Sequence, residues 1–592
     1  MMKKTLIATA VATLSFSTIA SVDYTQYNGN PNNPAVVTLE NGAVANVASM
    51  AKIPPVSRME GEISHETVRE NVWFIWGDLY APVVIETEEG LIVFSTGEHA
   101  GDGTRYREYI RENLSTKPVI AVMVDHNHYA LGTRTLLDGD DAIIVAHPDM
   151  NDIMAARTGG GQANALIDEM QPHLESRARI HYGNHNPQSG PDAPLSPMSV
   201  VLGHESGFMP ATHELDHGES ITIGGLEIVA YHHITDTKDT LTFHIPEYDM
   251  IVDNVVWPSS NMYTLRGDAY RDPATWTNAL KEIRDLEPEI VLTVGAGARA
   301  LKGKENIRNH INAVMDARIY TYDQAIRLTN KGVPADQLKH YMPLPKSLMS
   351  NAYVNNAYGS FETFPEAFPT QNHGYFSGNP DDIHNLPKPV HASYMIKLAG
   401  GVEQTYKAWQ QAMENGEYLW AKELSAALYY NAPANETARQ AHADTLRKLA
   451  QHAESFIVRN FYVAGALSLE GDSSITLSGT PSKSWVCSET ETAVNYLRTR
   501  LNPTKAEGKT GKLIFDVDGH QYGLEIRNSI AEFSTAPDYS DAAVIKVSAE
   551  QFSRYYVGEL TASDIAKGQA LELLNLFDEF QSIPLYPTSF NY

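Results

Sequence analysis

The chain has 592 residues, 43% of them hydrophobic and 20% charged, which is ordinary for a globular protein but too long for one hydrophobic core. Its 72 acidic side chains outnumber 45 basic ones, for a formal net charge of −27. That sign repels phosphate backbones and anionic lipid, so it argues against nucleic-acid binding, and an anionic substrate would need a local basic pocket.

The N-terminus opens with Lys3 and Lys4, followed by an apolar run over residues 6–19 and small residues around Ala20. This predicts a secretory signal peptide over residues 1–20 and a mature protein in a periplasm or outside the cell. No later stretch approaches the roughly 20 apolar residues that a spanning helix needs, so no stable membrane insertion is expected. Cys487 is the single cysteine. An intrachain disulfide is therefore excluded even in an oxidising compartment, and a metal ion would be held by histidine and carboxylate.

In a first domain spanning residues 21–316, short apolar runs alternate with amphipathic stretches from about residue 61 onward. Residues 72–76 (Val-Trp-Phe-Ile-Trp), 90–94, 118–124 and 142–145 read as buried strands, and residues 103–114 and 151–170 as helices. This alternation predicts an α/β layered domain. Residues 183–218, rich in Gly, Pro, Ser and His, read as a long ordered loop. From about 317 to 470 the period is helical: Ala408, Ala412, Tyr418, Ala421, Leu424, Ala427 and Leu428 recur mostly at three- and four-residue spacing, and 438–450 resumes it. Two such helices resemble one tetratricopeptide-like unit, which cannot cover its own apolar face, so a homodimer is expected. From 471 to 592 the reading is α+β: a helix over 489–500, strands over 512–515, 522–526 and 543–547, turn chemistry at Asp518-Gly519, and a leucine-rich closing helix.

The most informative local feature is Asp125-His126-Asn127-His128, directly after the strand at 118–124. Histidines at i and i+2 beyond a strand end can turn toward one ion, and neutral imidazole is a common metal ligand. By itself His-x-His is a weak signal.

Longer segments add to it. Asn261-Met-Tyr-Thr-Leu-Arg-Gly267, the run from Tyr322 to Asn330, Gly374-Tyr-Phe-Ser-Gly-Asn-Pro380 and Arg459-Asn-Phe-Tyr462 resemble segments of the dinuclear-zinc alkylsulfatases, in the same order along most of the chain. The resemblance implies an αββα metallo-β-lactamase-type domain, a helical dimerisation domain and a sterol-carrier-like C-terminal domain that would hold alkyl chains. It also implies hydrolysis of alkyl sulfate esters or related anionic amphiphiles.

Carried over residue by residue, the resemblance implies metal ligands at His126, His128, Asp236 and Asp253, with Asp253 also catalytic. Asn261 and Arg266 would bind sulfate oxygens, and Arg271 would add charge. A guanidinium fork suits a tetrahedral oxyanion. The family's first motif, His-x-His-x-Asp-His, reads here His126-Asn127-His128-Tyr129-Ala130-Leu131, and its distal ligand segment reads Val294-Gly-Ala-Gly-Ala298. Every group private to the family's second metal is gone, so one zinc ion per chain is expected there instead of two. His185, His232 and His233 are further histidines near the site. Two functional readings stay open: a metal-dependent sulfate ester hydrolase of weak activity, and an inactive pseudoenzyme that binds anionic or lipid-like ligands.

Overall fold

The computed structural model describes residues 35–47, 63–76, 80–156, 168–195, 205–257, 261–263, 265–267, 271–295, 299–354, 356–361, 363–477 and 481–590. The expected signal peptide and part of the expected 151–170 helix lie outside them.

Two sheets packed face to face form the N-terminal half. The first has seven strands, in the order Ser64–Arg69, Val72–Trp76, Val83–Glu86, Leu91–Phe94, Val119–Met123, Ile143–Ala146 and His213–Glu214. Pairing is antiparallel through Leu91–Phe94 and parallel from there to the last strand. The second sheet has six strands, Ser220–Ile223, Leu226–His232, Leu241–Ile245, Met250–Asp253, Ile290–Thr293 and Arg299–Lys302, in sequence order.

Period-two alternation decides what each strand buries. Val72 and Phe74, Ala121 and Met123, Met250 and Val252 enter the core between the sheets. Their neighbours Ile75, Val122 and Ile251 face outward, where helices cover them. Helices Ala100–Asn113 and Thr133–Leu137 cover the first sheet, and Pro273–Asp285 and Lys304–Thr329 cover the second. Because both faces are covered, Leu91–Phe94 is buried at every position, as the continuous apolar run requires. Each Val, Leu or Phe buried this way contributes about 1.5–3 kcal/mol. The result is an αββα sandwich, as expected.

The Lys304–Thr329 helix runs 26 residues, so the expected boundary at 316/317 falls inside one rigid element. Its first turns pack on the sandwich through Ile307 and Ile311, and its later ones meet Leu338 and Phe368. Shorter helices, Leu338–Tyr341, Lys346–Met349 and Phe364–His373, lead on to the longer Lys388–Leu398, Val402–Glu414, Tyr418–Asn431, Glu436–His452 and Phe456–Leu469.

The C-terminal unit is a four-stranded sheet, ordered Ile530–Ser534, His520–Arg527, Gly511–Val517, Ala543–Val547, with helices packed on its core. The turn at Asp518 and Gly519 has φ of 49° and 87°, the pair of left-handed residues that a tight hairpin needs. The strand Ile530–Ser534 was not anticipated. Its hairpin turns through Asn528 and Ser529, at φ of 47° and 57°, without the glycine that announces such a turn. Tyr586 and Phe590 then return to pack on Tyr429 of the helical block.

Candidate metal centre

The strand Val119–Met123 delivers Asp125 to the edge of the sandwich, where the chain bends. Asp125 is fully buried. Its backbone carbonyl accepts from Leu241 N at 2.7 Å, and its carboxylate accepts from Ser95 Oγ at 2.8 Å and from His126 Nδ1 at 2.5 Å. This holds a proton on Nδ1 and turns Nε2 toward the centre, where an ion would take the place of any proton on it. A carboxylate behind the far nitrogen is how metal-binding imidazoles are usually held. Burial alone would lower the His126 pKa. The charge and hydrogen bond of Asp125, with the charges of Asp236 and Asp239, more than reverse this and raise it to about 9.

Asp239 clamps the intervening residue: its carboxylate accepts from Asn127 N at 2.8 Å and from Asn127 Nδ2 at 2.6 Å. The His-x-His turn is thus pinned from both sides. His128 Nδ1 then stands 3.7 Å from Asp236 Oδ2. One ligand atom each from His126, His128 and Asp236 lie within 4.8 Å of one another.

Asp253, the fourth expected ligand, is not brought to this cluster. It shares strand parity with Ile251, which packs under the outer helices, and its carboxylate is already occupied. Oδ1 accepts from Val255 N at 2.6 Å and Val256 N at 2.8 Å, and Oδ2 accepts from Thr293 Oγ1 at 3.2 Å. Burial raises its pKa to about 6 even against those donors. Its neighbour Asn254 faces the site instead: Nδ2 lies 3.4 Å from His126 Nε2 and 3.5 Å from Asp236 Oδ1. Asn254 Oδ1 accepts from Trp257 Nε1 at 2.9 Å, which fixes the amide's direction. The amide hydrogens are directed at His126 Nε2 and Asp236 Oδ1.

The three residues fit one ion: two imidazoles and a carboxylate leave a position open. The described residues at the positions expected to serve a second ion next to this one carry no donor side chain. Ala130 is fully buried in the apolar layer with Tyr80 and Tyr129. Gly295 lies so close to Asn254 that a Cβ there would sit 1.6 Å from Asn254 Oδ1, so any side chain at this position would displace the amide. Residues 296–298 of that segment lie outside the described residues.

The expected anion-binding residues are buried together. Asn261 is 2% exposed, and Arg266 and Arg271 are each 3% exposed. Arg271 Nη1 donates to the Asn261 carbonyl at 2.8 Å. Arg266 Nη1 donates to Tyr182 Oη at 2.5 Å, and Asn261 Oδ1 has no hydrogen-bond partner among the described residues. Burial first, then the charges of Arg266 and Arg271, hold His181 well below its ordinary pKa, so it is neutral and adds no third cation. The helix Phe456–Leu469 supports this pocket from below. Asn460 Nδ2 donates to the His181 carbonyl at 3.0 Å and Arg459 Nη2 to the Pro191 carbonyl at 2.9 Å. Pocket and metal triad share an electrostatic neighbourhood. Glu98 and Tyr358 act both on Tyr129, beside His128, and on Tyr182, under Arg266.

Residues 334–472 match the alkyl sulfatase dimerisation family. A linear primary-alkylsulfatase of a Pseudomonas species is 24% identical over 492 residues, 77% of this chain and 88% of that protein. An (R)-specific secondary-alkylsulfatase of a Pseudomonas species is 22% identical over 469 residues, 76% of this chain and 69% of that one. The chain is a relative of the alkylsulfatases. The fold agrees over the whole length. The stereoselective inverting sec-alkylsulfatase Pisa1 from Pseudomonas superposes with a TM-score of 0.63 at 18% identity, covering 99% of this chain and 97% of its own.

Within this alkylsulfatase-like frame, Asp125, Asp239, Asn254 and Tyr182 escaped the sequence reading. Asp125 and Asp239 each had a signal: an acidic residue directly before His126, and one three residues after Asp236. Nothing in the sequence marks Asn254 or Tyr182.

Proposed function

We propose that the chain is a metal-dependent sulfuric ester hydrolase acting on alkyl sulfates or related anionic amphiphiles. One observation carries the reading: a chain with a triad suited to one ion, His126, His128 and Asp236, also buries two arginines despite its strongly acidic composition. Zinc held by that triad would supply a Lewis acid that polarises a sulfate oxygen. Arg266 and Arg271 neutralise the sulfate, and burial keeps water from screening them. Tyr182 and the Asn261 backbone carbonyl hold the two guanidinium groups in place. Asp125 and Asp239 keep the two histidines aimed at one point.

The buried, apolar Ala130 favours a second reading, a protein that binds such esters and hydrolyses them weakly or not at all. Zinc content of the purified full chain, measured with the rate of sulfate release from dodecyl sulfate, separates the two. We expect an ion on the triad and slow release. A chain that binds dodecyl sulfate and releases no sulfate when zinc-loaded is the binding protein. A chain that neither holds an ion on His126 nor binds the ester removes both readings.

The remaining proposals follow from the same frame: export through a signal over residues 1–20, a homodimer built on the helical block, and a C-terminal unit resembling sterol carrier proteins that receives the alkyl chain.

A further inference from the structure

The sandwich carries a second group of ligand-type side chains, on different strands from the first. His147 follows the strand Ile143–Ala146, Asp216 follows His213–Glu214, and His232 ends Leu226–His232. The first two strands are neighbours in the seven-stranded sheet and the third belongs to the six-stranded one. One ligand atom from each of the three residues lies within 4.8 Å of the others. His147 Nε2 is 3.7 Å and His232 Nδ1 4.0 Å from the same oxygen, Asp216 Oδ1. Atoms each about 2.0–2.2 Å from one tetrahedral ion lie roughly 3.3–3.6 Å apart, so these gaps close by a few tenths of an ångström when an ion binds.

The surroundings prepare the donors. His232 Nε2 donates to the Lys238 carbonyl at 2.6 Å, which leaves the lone pair on Nδ1, the nitrogen that faces Asp216. His147 Nδ1 accepts from the backbone N of Asp149 at 3.1 Å, so the ring proton sits on Nε2, the nitrogen that faces Asp216, and an ion binding there takes that proton's place. The two rings stack at 3.9 Å between centroids and 29° between planes, an arrangement two imidazolium cations would resist. Burial, then the neighbouring His232, lower the His147 pKa. Hydrogen bonding from His217 N lowers that of Asp216. The adjacent His217 and His233 turn the other way, to Glu282, at 3.6 and 3.0 Å.

We infer that His147, Asp216 and His232 form a second, separate binding site for a borderline divalent ion of the zinc class, which clasps the two sheets together at one edge of the sandwich. Two nitrogens and one carboxylate oxygen select that class over magnesium or calcium. The site owes nothing to the triad of His126, since no ligand is common to the two. The clasp joins elements far apart in sequence, so its ion stabilises the folded chain, in which alone the three donors meet.

The test uses the full chain, stripped with chelator, reloaded with zinc alone and freed of excess. Unmodified protein is expected to hold two ions per chain. His126→Ala, Asp216→Asn and His232→Ala are each expected to hold one, and His126→Ala combined with Asp216→Asn none. Asp216 is 61% exposed, and asparagine can keep the bond from His217 N, so Asp216→Asn preserves the fold. Zinc should raise the melting temperature of His126→Ala and leave that of the double variant unmoved. Equal zinc in unmodified, Asp216→Asn and His232→Ala protein overturns the proposal, as does a His126→Ala protein with no ion. An ion kept by Asp216→Asn and lost by His232→Ala overturns the three-ligand clasp. One ion that survives His126→Ala and disappears in Asp216→Asn supports the clasp while removing the proposed catalytic ion.

Discussion

Desolvating a guanidinium costs several kcal/mol, and Arg266 and Arg271 are each only 3% exposed. An anion bound beside them would offset part of that cost. Arg266→Ala should weaken binding of a sulfated ligand by about 1.5–3 kcal/mol, the range for hydrogen bonds to a charged group, and leave zinc content unchanged. Calorimetry with dodecyl sulfate below its micelle concentration, with parallel elemental analysis, reads both. Loss of zinc in this variant would mean that the arginine supports the triad and does not hold the anion.

Two aspartates expected as ligands from the sequence, Asp236 and Asp253, end in opposite roles. Asp236 lies in the turn after Leu226–His232 and reaches His128. Asp253 ends its strand with its side chain on the helix-covered face and is consumed by Val255, Val256 and Thr293. Alternation along Met250–Asp253 was legible, since Met250 and Val252 mark the inner face. Alignment of ligand positions alone overrides that signal. Asp236→Asn should therefore remove the triad ion, whereas Asp253→Asn should keep it, because asparagine's carbonyl can still accept from Val255 and Val256. Zinc loss in Asp253→Asn of the same size as in Asp236→Asn would restore Asp253 as a ligand.

At the scale of elements, strands with strong apolar runs were readable, because burial on both faces writes itself as continuous Val, Ile, Leu and Phe. The strand Ile530–Ser534 was not, since its polar positions and Asn528-Ser529 turn carry no such mark. The helices around 402–431 and 436–452 were readable from their period, but the burial of His442 within them was not. Its ring packs against Tyr429 and Tyr586, and Nδ1 meets Ser425 Oγ at 2.9 Å. Burial, then Lys422, lowers its pKa to about 3. The unfolded chain, with an ordinary value of about 6.5, takes up this proton more readily. The stability owed to neutral His442 is fully present above pH of about 6.5 and is lost as pH falls toward about 3, at up to about 1.4 kcal/mol per pH unit. His442→Gln should flatten the fall of melting temperature between neutral and acid pH. An unchanged acid slope would locate the sensitivity elsewhere.

At the scale of the molecule, the chain leaves one helix with two apolar faces. On Lys388–Leu398, Ala392 and Ile396 are buried against the helix Tyr418–Asn431, while Val390, Tyr394 and Leu398 are 41%, 61% and 86% exposed. Those three are spaced four apart, so they form one stripe on the side away from the chain's own core. Nearby, Ile383, Leu386 and Val402 are also more than half exposed, at 56%, 54% and 54%. The stripe lies within residues 334–472, the part that matches the dimerisation family. A helix that is apolar on both sides is buried on both sides, and a second copy of the same surface is the economical cover in a symmetric dimer. The full chain should therefore run as a dimer in light scattering at micromolar concentration. Tyr394→Asp with Leu398→Asp should give a folded monomer, because two carboxylates would have to be desolvated at the interface. Since this stripe is formed by other elements than those carrying His126 and Arg266, zinc content and anion affinity of that monomer should match the unmodified protein. A double variant that remains dimeric would put the interface on another face of the helical block.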